Sequence, residues 1–257
     1  MRDKLTDRNF DQLAERFQQN IYNTSKGQLR QAVLMRDLLA LPLLAKPCSV
    51  LDVGGGQGQL ALRLAALGHQ VHLTDISADM LEIAQAQAAA ANLSQQFRFT
   101  HSPLQTLASQ LAGQQYPLVL CHAVLEWLVD PASAIQQLRQ VLAPGGILSL
   151  MFFNKDALRF SNIVYGNFDY VKADMRVKKP VRLSPQQPLL QADVLAWCQQ
   201  AGFSVISKSG VRCFHDYLRD RQLQITQYSE LEALELQYNQ QEPYASLGRY
   251  THLLLQG

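Results

Sequence analysis

The stretch Val50-Leu51-Asp52-Val53-Gly54-Gly55-Gly56-Gln57-Gly58 decides the fold. Apolar residues around an acid run into glycines spaced G-x-G-x-G, and a helix-compatible stretch from Leu60 to Leu67 follows. That order predicts a buried parallel strand breaking into a tight turn at a helix N-terminus, where a ligand lies against bare backbone N–H groups. The spacing narrows the ligand. A dinucleotide fingerprint, G-x-G-x-x-G counted from Gly54, requires glycine at position 59, and the residue is Gln59. Asp52, two residues before the first glycine, favours a ligand with a cationic amino-acid end over a pyrophosphate. On this stretch alone, another nucleotide-binding Rossmann protein stands as the alternative.

Working outward, strand and helix patterns alternate from position 49, which predicts a parallel, doubly wound sheet. Strands are expected at 49–53, 70–74 (running into Asp75), 96–101, 117–122 and 147–153, the last entered through a Pro144-Gly145-Gly146 turn. A helix from Ala78 to about Asn92 is opened by Ser77, and one from Pro131 to Leu142 by Asp130 with proline at its first position. A helix at 190–201, a strand at 204–213, a long polar helix at about 218–239 and a strand at 250–255 complete the pattern. Before the core, Phe10, Leu13, Ala14 and Phe17 recur at helical spacing, and Ser25-Lys26-Gly27-Gln28 reads as a capping-box start for a second helix. Residues 155–187 are long for a plain connection, and long loops in compact domains tend to be functional. They leave from the edge where open α/β sheets bind ligands. One domain over 1–257 is expected, with a helical cap (1–48), a ligand-binding core (49–154) and substrate-side additions (155–257).

A chain of 257 residues with 47% hydrophobic and 17% charged residues can bury a large core and reads as soluble. No apolar run is long enough to span a bilayer, and Met1-Arg2-Asp3-Lys4 is not a signal peptide, so no membrane association is expected and the cytoplasm is the expected location. Cys48, Cys121, Cys198 and Cys213 are scattered without C-x-x-C spacing, which argues for reduced thiols and against a metal site. The net charge of +2 does not by itself advertise a polyanion, but its distribution is uneven. Residues 1–48 carry +3, 49–154 carry −3 and 155–257 carry +2. The densest cationic stretch, Lys172 to Arg182, sets five bases against Asp174. A solvated loop and a polyanion patch both explain it.

The glycine stretch resembles motif I of the class I S-adenosylmethionine-dependent methyltransferases. That resemblance implies a Rossmann-like, mostly parallel seven-stranded sheet with an N-terminal helical cap and insertions. It also implies S-adenosyl-L-methionine as cofactor. Gly54, Gly55 and Gly56 would then lie against the cofactor, with Asp52 near its ammonium. Asp75, 21 residues after Gly54, would accept both ribose hydroxyls, the competing helix-cap role suiting Ser77 better. Leu104 and Gln105 would cover the adenine. The Ser102-Pro103 before them departs from the Asp often found there. His122 is ambiguous between a packed residue and one touching the methionine moiety or acceptor. Arg30 is either a helix-surface residue or a bidentate partner for the cofactor carboxylate. Cys121 to Pro131 with Leu142-Ala143-Pro144-Gly145-Gly146 is similar to the subgroup signed "VLEH…DP" and "L-P-G-G", with Trp127 replacing the usual His.

Longer stretches resemble one bacterial family, the tRNA 5-carboxymethoxyuridine methyltransferases. They are Arg8-Asn9-Phe10-Asp11, Asn20-Ile21-Tyr22 with Lys26-Gly27-Gln28-Leu29-Arg30, His122 to Trp127, Gly166 to Val171, Arg212 to Arg219, and Glu242-Pro243-Tyr244 with Leu247-Gly248-Arg249-Tyr250. The match covers nearly the whole chain and includes Trp127. By that resemblance Arg30, Gly54, Gly55, Asp75, Leu104, Gln105 and His122 fall on cofactor positions. The implied partner is tRNA carrying 5-carboxymethoxyuridine in its anticodon, and the implied product is the methyl ester, 5-methoxycarbonylmethoxyuridine. Candidates to meet the acceptor carboxylate are Arg176, Lys178, Lys179, Arg182 and Arg212, with Tyr22, Tyr165 or Tyr170 to stack on the splayed-out base. No catalytic residue is singled out, and the oligomeric state is left open. Two rivals stay open: a small-molecule carboxyl or quinone-type methyltransferase, and a non-catalytic S-adenosylmethionine-binding regulator.

Overall fold

The structure, a computed structural model, describes residues 24–175 and 187–257. The expected helix around Phe10–Phe17 and the candidates Tyr22, Arg176, Lys178, Lys179 and Arg182 lie outside the described residues. Seven strands, β1 (Ser49–Val53), β2 (Gln70–Asp75), β3 (Phe97–His101), β4 (Tyr116–His122), β5 (Leu142–Phe153), β6 (Ser204–Val211) and β7 (Tyr250–Gln256), form one sheet in the order β3-β2-β1-β4-β5-β7-β6. The first five pair in parallel, whereas β7 runs antiparallel between β5 and β6. β1 is central and buried on both faces, which is why its sequence reads as apolar without alternation.

Alternate residues of these strands feed two cores. Leu51, Val119, Cys121, Leu148 and Phe152 face α5 (Pro131–Val141) and α8 (Gln191–Gln200). Val50, Leu118, Leu120 and Leu254 face α1 (Ser25–Leu39), α2 (Gln59–Ala66) and α3 (Ala78–Ala90). The expected caps formed: Ser77 Oγ accepts from Met80 N at 3.3 Å, and Asp130 Oδ1 from Ser133 N at 3.0 Å. All four cysteines are free. No helix among the described residues is long and apolar enough to cross a membrane.

Four expectations need correction. Helix α1 is capped one residue earlier, by Thr24, whose hydroxyl accepts from Gly27 N, which frees Ser25 Oγ to meet His215 Nε2 at 3.0 Å. Pro144-Gly145-Gly146 is not a turn ahead of β5. It is a bulge within it, because pairing jumps from Tyr116↔Leu142 to Leu118↔Ile147 and Gly257 bridges the gap through Gly145 N and Gly146 O. The connection after β5 is partly helical, with α6 (Lys155–Val164) and α7 (Phe168–Lys172). The long helix expected at about 218–239 is broken into α9 (Leu223–Thr226) and α10 (Tyr228–Tyr238), and a 3-10 turn at His215–Tyr217 precedes it. At its start, Gln224 turns its Nε2 back onto His215 O at 2.8 Å, in the turn that Tyr165 Oη holds through Asp216 O at 2.6 Å.

Candidate active site

The carboxyl ends of β1 to β5 share one edge, and the glycine loop leaves there. Gly54 N and Gly55 N both donate to Thr74 O, at 2.8 and 3.1 Å, turning the chain sharply off β1. Gly54 has φ +66°, and a Cβ there would lie 2.5 Å from Val124 Cγ2; one at Gly55 would lie 2.7 Å from Asp52 Oδ2. The loop is thus wedged between the segment after β4 and the Asp52 carboxyl, and only bare backbone fits. Asp75, last in β2, ties this loop to α3: Oδ2 accepts from Gly56 N and Oδ1 from Ser77 N, each at 2.8 Å. A carboxylate held by two amides is a fixed acceptor for a vicinal diol. Ser102 N bonds Asp75 O at 2.9 Å, which brings the next turn, with Leu104 buried and Gln105 exposed, beside it.

Asp52 lies beneath the loop, 4% exposed. Burial, and then the neighbouring Asp75 charge, push its carboxyl up to about 7. His122 ends β4 and is followed by Ala123 at φ +58°, a left-handed alanine that sequence gave no means to foresee. The His122 Nε2 meets Ser149 Oγ at 2.8 Å, and burial, with the Arg30 charge adding to it, holds the imidazole well below its usual pKa. It is therefore neutral.

Arg30, on α1, lies with its guanidinium carbon 4.9 Å from the centroid of Tyr250, and its buried Nε has no hydrogen-bond partner among the described residues. Glu126, which sequence reasoning quoted only as part of a motif, is fully buried beyond β4. Its carboxyl oxygens lie near the Glu126 and Phe153 amides without completing a hydrogen bond. Burial pushes its pKa up to about 7, against the amides and Arg30, which lower it. Buried orphan groups are rare and costly. An orphaned guanidinium N–H and an orphaned carboxyl in one neighbourhood fit a ligand end that carries both a carboxylate and an ammonium.

A second group of residues adjoins this one. Arg212, at φ +65°, is buried, and its guanidinium is bidentate on Asp216, while Arg249 Nε lies 3.8 Å from the same carboxylate. Burial raises the Asp216 pKa, but Arg212, His215 and Arg249 outweigh it and hold the group well below the usual carboxylate range. Arg212 also lies 5.8 Å from Tyr250, on which Arg30 stacks, and Arg249 sits 4.8 Å from Phe153. Lys26 faces the same cluster, its pKa lowered by burial and by repulsion from Arg212, Arg221 and Arg249, with Asp216 opposing. Three cations, Lys26, Arg212 and Arg249, surround one carboxylate. Of the sequence candidates, Arg212 is thus committed to Asp216, and Tyr165 anchors its hydroxyl on Asp216 O with Arg221 5.9 Å from its ring. Tyr170, on α7, stacks on no ring among the described residues. Lys26, Glu126, Asp216, Arg249 and Tyr250 were missed as site residues, although the Arg212/Asp216 spacing of four was a readable signal.

No three His, Cys, Asp or Glu side chains converge as a metal site among the described residues. A family model described as "Methyltransferase domain" matches residues 51–148. The tRNA 5-carboxymethoxyuridine methyltransferase of Escherichia coli strain K12 is 49% identical over 251 residues, covering 97% of this chain and 96% of that protein. A ubiquinone biosynthesis O-methyltransferase of Psychrobacter cryohalolentis is 34% identical, over 46% of this chain and 45% of its own. Among solved structures, magnesium protoporphyrin IX methyltransferase from Synechocystis PCC 6803, with bound SAH, superposes with a TM-score of 0.66 at 17% identity, covering 96% of this chain and 95% of that one. At that identity the likeness establishes the class I methyltransferase fold.

Proposed function

The chain belongs to the tRNA 5-carboxymethoxyuridine methyltransferase family, and from that premise we propose how its site works. It is an S-adenosylmethionine-dependent methyltransferase. It converts the carboxylate of 5-carboxymethoxyuridine, at the wobble position of tRNA, to the methyl ester, 5-methoxycarbonylmethoxyuridine. When bound, the cofactor supplies an electrophilic methyl group on a sulfonium with a neutral thioether as leaving group. Asp75 would hold its ribose, the Gly54–Gly56 backbone its amino-acid arm, Leu104 and Gln105 its adenine, and Arg30 its carboxylate. Asp52, with Glu126, would face its ammonium. A tRNA substrate implies a cytoplasmic protein, and residues 1–257 are read as one methyltransferase domain.

The acceptor makes little chemical demand. An alkoxyacetate is ionised at neutral pH, so no general base is required, and the neutral His122, engaged by Ser149, need not act as one. The chain must instead bring an anionic nucleophile in line and hold it there. The observation that carries this reading is the surplus of cations, Lys26, Arg212 and Arg249 against Asp216, around Tyr250 and next to Arg30. Lys26 forms no ion pair among the described residues, and an acceptor carboxylate there would relieve its repulsion. A small-molecule quinone-type enzyme would instead present an apolar pocket without that cationic rim.

The test uses purified protein, S-adenosylmethionine labelled in its methyl group, and tRNA carrying 5-carboxymethoxyuridine. Label should enter tRNA and be released as methanol by mild alkali, as an ester requires. Label that resists alkali, or a preference for small catechols over tRNA, would contradict the assignment.

A further inference from the structure

A row of polar side chains crosses the sheet under α1, inside an otherwise apolar core. His122 Nε2 lies 2.8 Å from Ser149 Oγ, Ser149 Oγ lies 2.8 Å from His252 Nε2, and His252 Nδ1 lies 2.7 Å from Asp37 Oδ2. The members come from β4, β5, β7 and α1, and Ser149, His252 and Asp37 are all at least 97% buried. Asp37 Oδ1 accepts from Arg36 Nε at 2.9 Å and Arg36 Nη2 at 2.6 Å, with Gln240 Nε2 at 3.3 Å.

We propose that Asp37 is a positioning residue: through His252 and Ser149 it fixes His122 in the tautomer protonated on Nε2, leaving Nδ1 a bare acceptor beside the cofactor cleft.

The assignment follows from counting donors. Burial pushes the Asp37 carboxyl up, but hydrogen bonds from His252 and Ser209 and the Arg36 charge hold it below the usual range, so it only accepts. His252 Nδ1 therefore carries a proton. Arg36 already balances the Asp37 charge, and a second proton on His252 would leave a net positive charge buried in the core. With His252 neutral, its Nε2 accepts the Ser149 hydroxyl proton. Ser149 Oγ must then accept from His122 Nε2–H. His122 Nδ1 makes no hydrogen bond among the described residues and is left as a lone pair. An acceptor there suits a ligand ammonium and opposes a ligand carboxylate, which is directed to Arg30. This last step rests on the cofactor reading above; the tautomer does not.

Asp37→Asn tests the relay with particular force, because the Arg36 clamp dictates how the amide sits. Arg36 offers only donors, so the Asn oxygen must turn to it and the Asn NH2 to His252 Nδ1. Every bond in the row then reverses, and His122 becomes protonated on Nδ1. The measurement is 15N NMR of histidine-labelled, ligand-free full-length protein, with calorimetry of S-adenosylhomocysteine binding. The wild type should show the His122 Nε2–H pattern and Asp37→Asn the Nδ1–H pattern, with affinity lowered roughly tenfold or more, as for loss of a charge-assisted hydrogen bond. Should Asp37→Asn not fold, Ser149→Ala cuts the row at its smallest member, and His122 should show mixed tautomers. A lowered melting temperature with unchanged His122 tautomer and unchanged affinity would overturn the proposal, as would a wild type already protonated on Nδ1. A wild type with the expected tautomer that fails to bind S-adenosylhomocysteine would contradict the cofactor reading instead.

Discussion

Asp75 and Asp52 both meet the glycine loop, yet their surroundings give them opposite characters. Asp75 is fixed by the Gly56 and Ser77 amides, so Asp75→Ala should weaken S-adenosylhomocysteine binding by about 1.5–3 kcal/mol. Calorimetry reads it directly, and unchanged affinity would remove the ribose role. Asp52 is sunk under Gly55 with a pKa of about 7, so it is largely protonated below neutrality. A ligand ammonium favours its ionised form. Binding therefore releases a proton, and affinity should fall as pH drops from 8 to 6. Asp52→Asn should flatten that profile; if the variant keeps the full pH dependence, Glu126, also near 7, is the group responsible and Glu126→Gln should flatten it. Gly55→Ala should cost cofactor affinity outright, because its methyl would occupy the position 2.7 Å from Asp52 Oδ2.

At the scale of elements, the strand–loop–helix unit at β1 was readable because everything it needs is local: an apolar strand, glycines at fixed spacing, and Ser77 or Asp130 at the next helix starts. The same local reading failed where distant partners decide. The bulge in β5 is bridged by Gly257, and the turn before α9 is held by Tyr165, whose hydroxyl donates to Asp216 O. Helix α10 falls in a stretch expected to be polar, but Glu235 is fully buried and accepts from Cys213, Phe214 and His215 N at 2.7, 2.9 and 2.8 Å. It holds the turn after β6 in which Arg212 adopts a positive φ. Glu235→Ala would strand three buried amides and should destabilise the protein by about 3 kcal/mol or more. Denaturant melts would reveal it, and a loss below about 1 kcal/mol would mean that water or a rearranged turn replaces the carboxylate.

For the whole molecule, the sequence marks candidates for the cofactor half more plainly than for the acceptor half. Arg30, Gly54, Asp75 and His122 are proposed for the cofactor because a motif or a resemblance marks each. The cation cluster carries no such mark, because Lys26, Arg212, Asp216 and Arg249 come together only when α1, the turn after β6 and β7 are packed. The proposed tRNA contacts extend beyond that cluster. Neutralising Lys178, Lys179 and Arg182, which lie outside the described residues, should leave S-adenosylhomocysteine affinity intact and weaken tRNA binding. The logarithmic salt slope should become shallower by at most about two to three. Normal tRNA affinity with a normal slope would exclude that stretch and direct attention to Lys26 and Arg221.

The central claim is that the acceptor is a carboxylate on a tRNA wobble uridine, and mass spectrometry of tRNA nucleosides from cells lacking the gene tests it most directly. The account predicts that 5-methoxycarbonylmethoxyuridine disappears and 5-carboxymethoxyuridine accumulates in its place, with both levels restored by the wild-type gene. Unchanged 5-methoxycarbonylmethoxyuridine in the deletion strain would contradict it.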